Sequence, residues 1–301
     1  MSSLLTLIAP PAALTDAVLQ TVTAAVIQAG GQVGSADWLS PGEAVDLVIT
    51  GLACESLDGV ARAALAGHAV DAVVQAVGPH RRKAVLVADM DSTMVIGETL
   101  DELAAFAGIK DHIAAITARA MNGELDFPSA LRERVGLLKG LSATALEQTY
   151  AHLELMPGAK TLLATMKAHG AYAVLVSGGF RFFTSRVAET LGFDRNLGNE
   201  LGIADGVLTG AVVGPILDRN TKLETLRGVA AERGLEIAQT LAVGDGANDL
   251  DMLLAAGLGI AYQAKPVVAA TAKARVNHGD LTALLFAQGY RRSDFVTASA
   301  A

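Results

Sequence analysis

The chain has 301 residues, of which 51% are hydrophobic and 18% charged, so it can build a large core and is not an intrinsically disordered chain. Its formal net charge is −8 and no basic stripe runs along it, which argues against nucleic acid as the main partner. No apolar run is long enough to cross a bilayer, and Cys54 is the single cysteine, so we expect no membrane partner, no intrachain disulfide and a cytoplasmic location.

The first 80 residues predict a βαββαβ unit. Strand-like runs cover Leu4–Ala9, Gln32–Trp38, Ala44–Gly51 and Val70–Val77, and helical patterns cover Ala13–Ala29 and Leu57–Ala66. This order predicts an antiparallel sheet with two helices on one face. A polar, turn-forming segment follows at 78–83, and we place a domain boundary there, between 1–80 and 81–301.

Three continuous apolar strands characterise the second domain. Ala84–Ala88 ends at Asp89, Ala171–Val176 ends at Ser177, and Thr240–Val243 ends near Asp245. Buried strands that alternate with helices predict a doubly wound α/β fold with a parallel sheet, whose ligands bind beyond the carboxyl ends of the strands. The helical segment at about 99–165 is too long for a simple crossover, so we expect a small cap inserted after the first strand.

A pair of acids, Asp89 and Asp91, follows the first of these strands. A carboxylate can attack phosphorus, and a second one two residues on can protonate the leaving alcohol and later deprotonate water. Taken alone, Asp-x-Asp is short and equally fits a turn with two helix-capping aspartates.

Two further motifs could bind phosphate oxygens. The hydroxyl and backbone N–H groups of Ser177, Gly178 and Gly179 could hold them, and Lys222 could neutralise the developing charge. Each signal is weak alone, since glycine pairs are common in turns and most lysines are solvated.

The segment Gly244–Asp249 places two acids among small residues. Mg²⁺ prefers one or two carboxylates together with water and phosphate oxygens. Asp89, Asp91, Asp245 and Asp249 would repel one another and a phosphate unless a divalent cation and a lysine were present. Together the four motifs predict a magnesium-dependent phosphatase with an aspartyl-phosphate intermediate on Asp89.

These motifs, in this order, resemble those of the haloacid dehalogenase superfamily over roughly residues 82–290. Within it, Glu98 and the cap segments 121–127 and 131–135 resemble the phosphoserine phosphatase family, which implies hydrolysis of O-phospho-L-serine in the last step of serine biosynthesis. The resemblance implies Asp89 as nucleophile, Asp91 as general acid and base, and one Mg²⁺ held by Asp89, the backbone carbonyl of Asp91, and Asp245, with Asp249 orienting the site. It implies a substrate pocket formed by Glu98, Met121, Phe127, Arg134, Ser177, Gly178, Gly179, Lys222 and Asn248.

The charged groups of an amino-acid substrate give a second reason, independent of the resemblance, to single out Glu98 and Arg134. An ammonium group needs an anion and a carboxylate needs a bidentate cation, which are the tasks that these two side chains suit. From the residues alone, solvated helix faces explain them about equally well. Another small phosphorylated amino acid or alcohol is the nearest alternative substrate, and a non-catalytic serine sensor is an alternative of a different class.

The first 80 residues resemble the ACT-like domain that precedes some members of the family. Such domains often pair between subunits and bind amino acids, which implies a homodimer and L-serine as a feedback ligand. Pro10 and Pro11 occupy the loop after the first strand, where such domains carry a glycine, so dimerisation or scaffolding is favoured there over ligand binding.

Overall fold

The computed structural model describes residues 2–121 and 124–296, apart from the side chain of Met121. The N-terminal part contains β1 (Ser2–Ile8), α1 (Asp16–Gln28), β2 (Gln32–Val33), β3 (Asp37–Ser40), β4 (Ala44–Thr50), α2 (Cys54–Ala64) and β5 (Asp71–Ala76). Its antiparallel sheet has the order β2-β4-β1-β5, and β3 also pairs with β4. The predicted α+β arrangement is therefore confirmed.

The run Gln32–Trp38 differs from its prediction as one strand. Val33 pairs with Ile49, whereas Asp37 pairs with Asp46, so the register on β4 moves by one residue and a bulge separates β2 from β3. Gly34 lies in this break and donates its N–H to the carbonyl of Val48. A bulge of this kind leaves the hydrophobic pattern almost unchanged, which explains why the pattern predicts a continuous strand.

The second part contains β6 (Val85–Ala88), α3 (Thr99–Phe106), α4 (Lys110–Met121), α5 (Phe127–Gly136), α6 (Thr144–Ala151), α7 (Ala159–Ala168), β7 (Tyr172–Phe180), α8 (Arg181–Leu191), β8 (Arg195–Ala204), β9 (Val207–Val213), α9 (Arg219–Glu232), β10 (Thr240–Gly244), α10 (Leu250–Ala255), β11 (Leu258–Tyr262), α11 (Pro266–Thr271), β12 (Ala274–Val276) and α12 (Ala283–Ala287). The seven-stranded sheet has the order β12-β11-β10-β6-β7-β8-β9, and among its described strands only β8 and β9 pair antiparallel. The doubly wound α/β prediction is confirmed. The central position of β6, between β10 and β7, brings together the three strand ends that the sequence singled out.

The inserted helices α3 to α6 leave and rejoin this core at neighbouring points. Val95 and Leu155 form an antiparallel bridge, and Met156 donates its N–H to the carbonyl of Met94 at 2.9 Å. The loop before α6 also exchanges backbone hydrogen bonds with the β8–β9 hairpin, including one from the N–H of Gly140 to the carbonyl of Leu208 at 2.8 Å. Helix α7, in contrast, packs against β7 and α8 of the core.

The two sheets are joined through buried contacts. One face of the N-terminal sheet is covered by α1 and α2, and the other lies against α12. Arg81 makes a two-pronged ion pair with Asp46 at 2.6 and 2.7 Å, and Asp71 accepts backbone N–H bonds from residues 277–279. Among the described residues, no helix has both the length and the apolar character needed to span a membrane.

Candidate active site

Asp89 is the first residue after β6, and its backbone fixes it to the neighbouring strand. Its N–H donates to the carbonyl of Val243 in β10 at 3.0 Å. Its carboxylate Oδ1 accepts from the backbone N–H of Met90 and from Lys222 Nζ, each at 2.8 Å. Burial raises the pKa of this carboxyl, and the nearby Asp249 raises it further, while Lys222 lowers it. These contacts therefore hold the Asp89 carboxylate in one orientation.

Lys222 enters the site from the first turn of α9. Asp218 caps this helix by accepting from the N–H groups of Asn220 and Thr221, which fixes the turn that carries the lysine. Its Nζ lies 2.6 Å from Asp249 Oδ1 as well as 2.8 Å from Asp89. Burial alone would lower its pKa, but the two carboxylates raise it, so the lysine carries a full charge.

Asp91 follows Asp89 by two residues, at the start of the connection from β6 to the cap. Its Oδ1 accepts from the backbone N–H of Thr99 at 2.8 Å, and its Oδ2 accepts from Ser177 Oγ at 3.0 Å. Gly179 in turn donates its N–H to Ser177 Oγ at 2.8 Å. Burial raises the pKa of Asp91, which favours the protonated form that a general acid needs.

Ser177 was expected at a turn between strand and helix, but it lies within β7. The strand extends to Phe180, which pairs with Asn199 after a shift in register. A Cβ at residue 179 would lie 2.7 Å from Asp91 Oδ2, so glycine is needed there for the close approach of the two strand ends.

Three buried carboxylates form the candidate metal centre. Oxygen atoms of Asp89, Asp245 and Asp249 lie within 4.8 Å of one another. Hard carboxylate oxygens are the donors that Mg²⁺ prefers, and Lys222 alone does not neutralise three acids. The donor set therefore fits a divalent cation of this kind.

The three acids differ in what else they contact. Both oxygens of Asp249 are engaged, with Lys222 and with the N–H of Gly246 at 2.9 Å, so its geometry suits an orienting role. Asp245 accepts from Thr93 Oγ1 at 3.3 Å and lies 3.7 Å from Lys265 Nζ. Asn248 is half-buried in the turn between them. A Cβ at Gly244 would collide with the Asp249 carboxylate, which explains the small residue there.

Glu98 stands at the rim of this acidic group. Its Oε1 accepts from Ser92 Oγ at 3.2 Å. Loss of solvation raises its pKa to about 7, and the negative charges of Asp91 and Asp245 contribute to the shift, so it lies within electrostatic reach of both. An ammonium group bound beside Glu98 would restore its ionised form.

Arg134 reaches toward Glu98 from α5. Its Nε donates to the carbonyl of Ala130 at 3.2 Å, which leaves the outer guanidinium nitrogens pointing beyond the helix. Burial lowers its pKa, while the negative charges of Asp101 and Glu98 act in the opposite direction. The anion and cation that the sequence singled out therefore lie within electrostatic reach of each other.

Phe127, at the start of α5, is brought to the phosphate loop. Its ring lies against Gly178 in β7. The side chain of Met121 lies outside the described residues. The cap therefore brings Phe127 into contact with the core at Gly178.

Several residues that lie at the site are not predicted from the sequence. The Asn199 amide donates to the carbonyl of Gly178 at 2.7 Å and accepts from the N–H of Leu217 at 2.8 Å, and it is 1% exposed. Thr93, Thr99 and Lys265 contact or approach the acids as described above. Thr93 could have been found from the motif that contains it, but Asn199 and Lys265 lie in segments without a pattern typical of a site.

The fold and site together define a family. The chain belongs to the haloacid dehalogenase-like hydrolases, because the model of that family matches residues 86–254, more than half of the chain. It is similar to the phosphoserine phosphatase of Streptomyces coelicolor, with 42% identity over 295 residues that cover 97% of this chain and 72% of the relative. A phosphoserine phosphatase of Mycobacterium tuberculosis is 48% identical over 232 residues, which cover 77% of this chain and 57% of the relative. The chain thus spans little more than half of this second relative.

The likeness extends to the N-terminal sheet. A crystal structure of a probable phosphoserine phosphatase from Vibrio cholerae, in unliganded form, matches with a TM-score of 0.80 and 33% identity. The match covers 97% of this chain and 88% of that one. The two-sheet arrangement is therefore shared with a solved structure along nearly the whole length.

Proposed function

We propose that this chain hydrolyses O-phospho-L-serine to L-serine and phosphate, with a phosphoryl group carried transiently on Asp89. The observation that supports the proposal is that Glu98 lies within electrostatic reach of Asp91 and Asp245, and that Arg134 lies within electrostatic reach of Glu98. An anion and a guanidinium there match the ammonium and carboxylate of a phosphorylated amino acid. The similarity to phosphoserine phosphatases over 97% and 77% of the chain supports the same substrate.

The first step is attack of the Asp89 carboxylate on phosphorus. An oxygen–phosphorus bond forms to Asp89 while the bond between phosphorus and the serine oxygen breaks, and Asp91 gives its proton to the departing serine oxygen. Ser177 Oγ, the N–H groups at 178 and 179, and Lys222 stabilise the charge on the phosphoryl oxygens. The raised pKa of Asp91 favours the protonated form from which this proton is given.

The second step returns the enzyme to its starting state. Asp91, now ionised, takes a proton from a water that attacks phosphorus, and the bond to Asp89 breaks to release phosphate. Closure of the cap excludes water from the first step and must then admit one molecule for the second. Mg²⁺ bound by Asp89 and Asp245 would supply positive charge between the nucleophile and the substrate phosphate.

The test is phosphate release from L-phosphoserine, D-phosphoserine, phosphothreonine and phosphoethanolamine, each with Mg²⁺ or EDTA. We expect a strong preference for L-phosphoserine, loss of activity with EDTA, and loss of activity in Asp89→Asn. Asp16→Asn, an exposed acid on α1, is the matched control and should keep full activity. Equal rates across the panel would refute the substrate, and activity in Asp89→Asn would refute the nucleophile.

We also infer that residues 1–80 form a dimerising or regulatory unit, that the chain is a homodimer of the cytoplasm, and that L-serine acts as a feedback ligand. The N-terminal antiparallel sheet with its two helices, and the resemblance of this segment to ACT-like domains, support this inference. Light scattering on the full chain, with and without L-serine, tests it. A monomer whose mass and activity L-serine leaves unchanged would refute both parts.

A further inference from the structure

A cleft of about 470 Å³ lies where the N-terminal sheet meets the hydrolase core. One wall is formed by the end of α2 and the turn that follows it, and the other by β12 and the residues after it. Its described lining residues are all distinct from those of the candidate active site. It is large enough for a small metabolite and opens to solvent between two parts of the chain.

Cationic groups line this cleft from both sides. Arg62 comes from α2 and Arg275 from β12, and His68 and His278 lie on the same walls. Arg62 is paired with Asp58 on its own helix at 2.6 Å, while its Nη2 donates to the carbonyl of Lys273 at 3.3 Å.

The partner of Arg275 does not neutralise its charge. Its Nη1 donates to the carbonyl of Ala269 at 3.3 Å, which leaves the positive charge in place. Burial lowers the pKa of Arg275, and repulsion from Arg62 lowers it further, while the negative charges of Asp58 and Asp71 act in the opposite direction. An anion between them would relieve this repulsion.

Asp71, the acid among the described lining residues, faces backbone amides instead. It is 4% exposed, and its carboxylate accepts from the N–H groups of Asn277, His278 and Gly279 at 2.9, 3.0 and 3.4 Å. These bonds fix the loop after β12 and satisfy the carboxylate locally. It is therefore a structural element of the cleft wall, and its negative charge also acts on Arg275.

We propose that this cleft is a second ligand site, which binds a small dianion such as a dicarboxylate between Arg62 of one domain and Arg275 of the other. Guanidinium groups hold carboxylates and phosphates through paired hydrogen bonds, so both anion types share the chemistry. A ligand held from both sides would also strengthen the docking of the two domains.

Calorimetric titration of the full chain with malonate tests the proposal. We expect one saturable site, and a Kd that rises at least about tenfold in Arg62→Ala and in Arg275→Ala, because charged hydrogen bonds are lost. Arg227→Ala, an exposed arginine of α9, should bind normally. Phosphate release should stay within about twofold in all three variants, since none of these residues touches the active site.

Other outcomes would contradict the proposal of an anion site in this cleft. Malonate binding that is lost in Arg134→Ala but kept in Arg62→Ala would place the anion in the active site. Glycine binding as tightly as malonate would refute the dianion, and the lack of a saturable site would refute the cleft. Hydrogen exchange of the unaltered chain is independent of any folding defect: malonate should protect 65–72 and 275–278, and protection confined to other segments would contradict the proposal.

Discussion

Phe127 of the cap lies so close to Gly178 of the core that its ring atom Cζ is 3.0 Å from the position that a Cβ on residue 178 would take. The ring belongs to α5 and the glycine to the phosphate loop in β7. The contact therefore joins the inserted helices to the strand that carries the proposed phosphate-binding residues. Glycine is required at 178 by this neighbour, since its own backbone is not in the left-handed region.

Replacing Gly178 by alanine should weaken substrate binding without unfolding the protein. The added methyl group must displace the Phe127 ring by a few tenths of an ångström, at a cost of about 1 kcal/mol or about fivefold in kcat/KM. Steady-state kinetics measure the loss, and Gly136→Ala, where a Cβ meets nothing within 4 Å, is the matched control. Phe127→Ala combined with Gly178→Ala should lose less than the two single losses multiplied; a fully multiplicative loss would contradict the contact.

The pH dependence of kcat/KM should reflect Glu98. Its pKa is raised to about 7, so below that pH it is increasingly protonated and neutral, and it no longer pairs with the ammonium of the substrate. We expect kcat/KM to rise with pH and level off above about 7, with about a tenfold change per unit on the acidic side. Glu98→Gln should have a lower kcat/KM and lack this inflection.

The substrate phosphate also titrates, near about 6, and this contribution remains in both proteins. The difference between the two profiles therefore isolates Glu98. Identical profiles for Glu98→Gln and the unaltered chain would show that Glu98 does not bind the ammonium group.

Arg134→Ala should weaken the binding of a substrate that carries a carboxylate and leave a substrate without one unaffected. Loss of charged hydrogen bonds costs about 1.5–3 kcal/mol, so KM for L-phosphoserine should rise roughly 10- to 150-fold. Phosphoethanolamine lacks the carboxylate and should keep its kcat/KM. Arg132→Ala removes an exposed arginine from the same helix and should leave both substrates unaffected. An equal loss for both substrates would assign Arg134 a structural role.

The ion pair between Arg81 and Asp46 should contribute to the stability of the fold where the N-terminal sheet meets the rest of the chain. Arg81→Met leaves the nearly buried Asp46 without its cation, and because Arg81 is partly exposed we expect a loss of about 2 kcal/mol in the free energy of unfolding. Arg82→Met breaks the more exposed pair with Asp294 and should cost less than about 1 kcal/mol. Urea unfolding measures both, and adding Asp46→Asn to Arg81→Met should recover part of the loss. No recovery would mean that packing, and not charge, explains it.

Much of the core can be predicted from the sequence, because its strands are defined by residues that are close together in the chain. A strand buried on both faces is a continuous apolar run, and in a parallel sheet the carboxyl ends lie at one edge, so the strand pattern alone places Asp89, Ser177 and Asp245 together. The resemblance of the cap segments added Glu98, Phe127 and Arg134. The division into domains at residue 80 and the individual roles of these residues stay predictions.

What the sequence did not reveal depends on contacts between distant segments. The β8–β9 hairpin is an exception, because Asp205 and Gly206 both have positive φ and an Asp-Gly pair between two strands is a local hairpin signal; the mixed polar sequence of the two strands obscures it. The link from Asn199 to Gly178 and the approach of Lys265 to Asp245 arise only when the sheet is assembled. The break between β2 and β3 was hidden for the same reason, since register is a property of a strand pair.

The antiparallel bridge between Val95 and Leu155 makes the cap an insertion at a single point of the core. Its outgoing and returning segments are hydrogen-bonded side by side, so everything between them can change in length or sequence while β6 and β7 keep their pairing. The proposed recognition residues Glu98 and Arg134 therefore lie on the inserted segment, and the proposed nucleophile Asp89 lies on the core sheet. The backbone N–H of Thr99 links the two, since it holds the Asp91 carboxylate, so an exchange of the insertion that keeps this bond should alter the substrate before it alters the reaction.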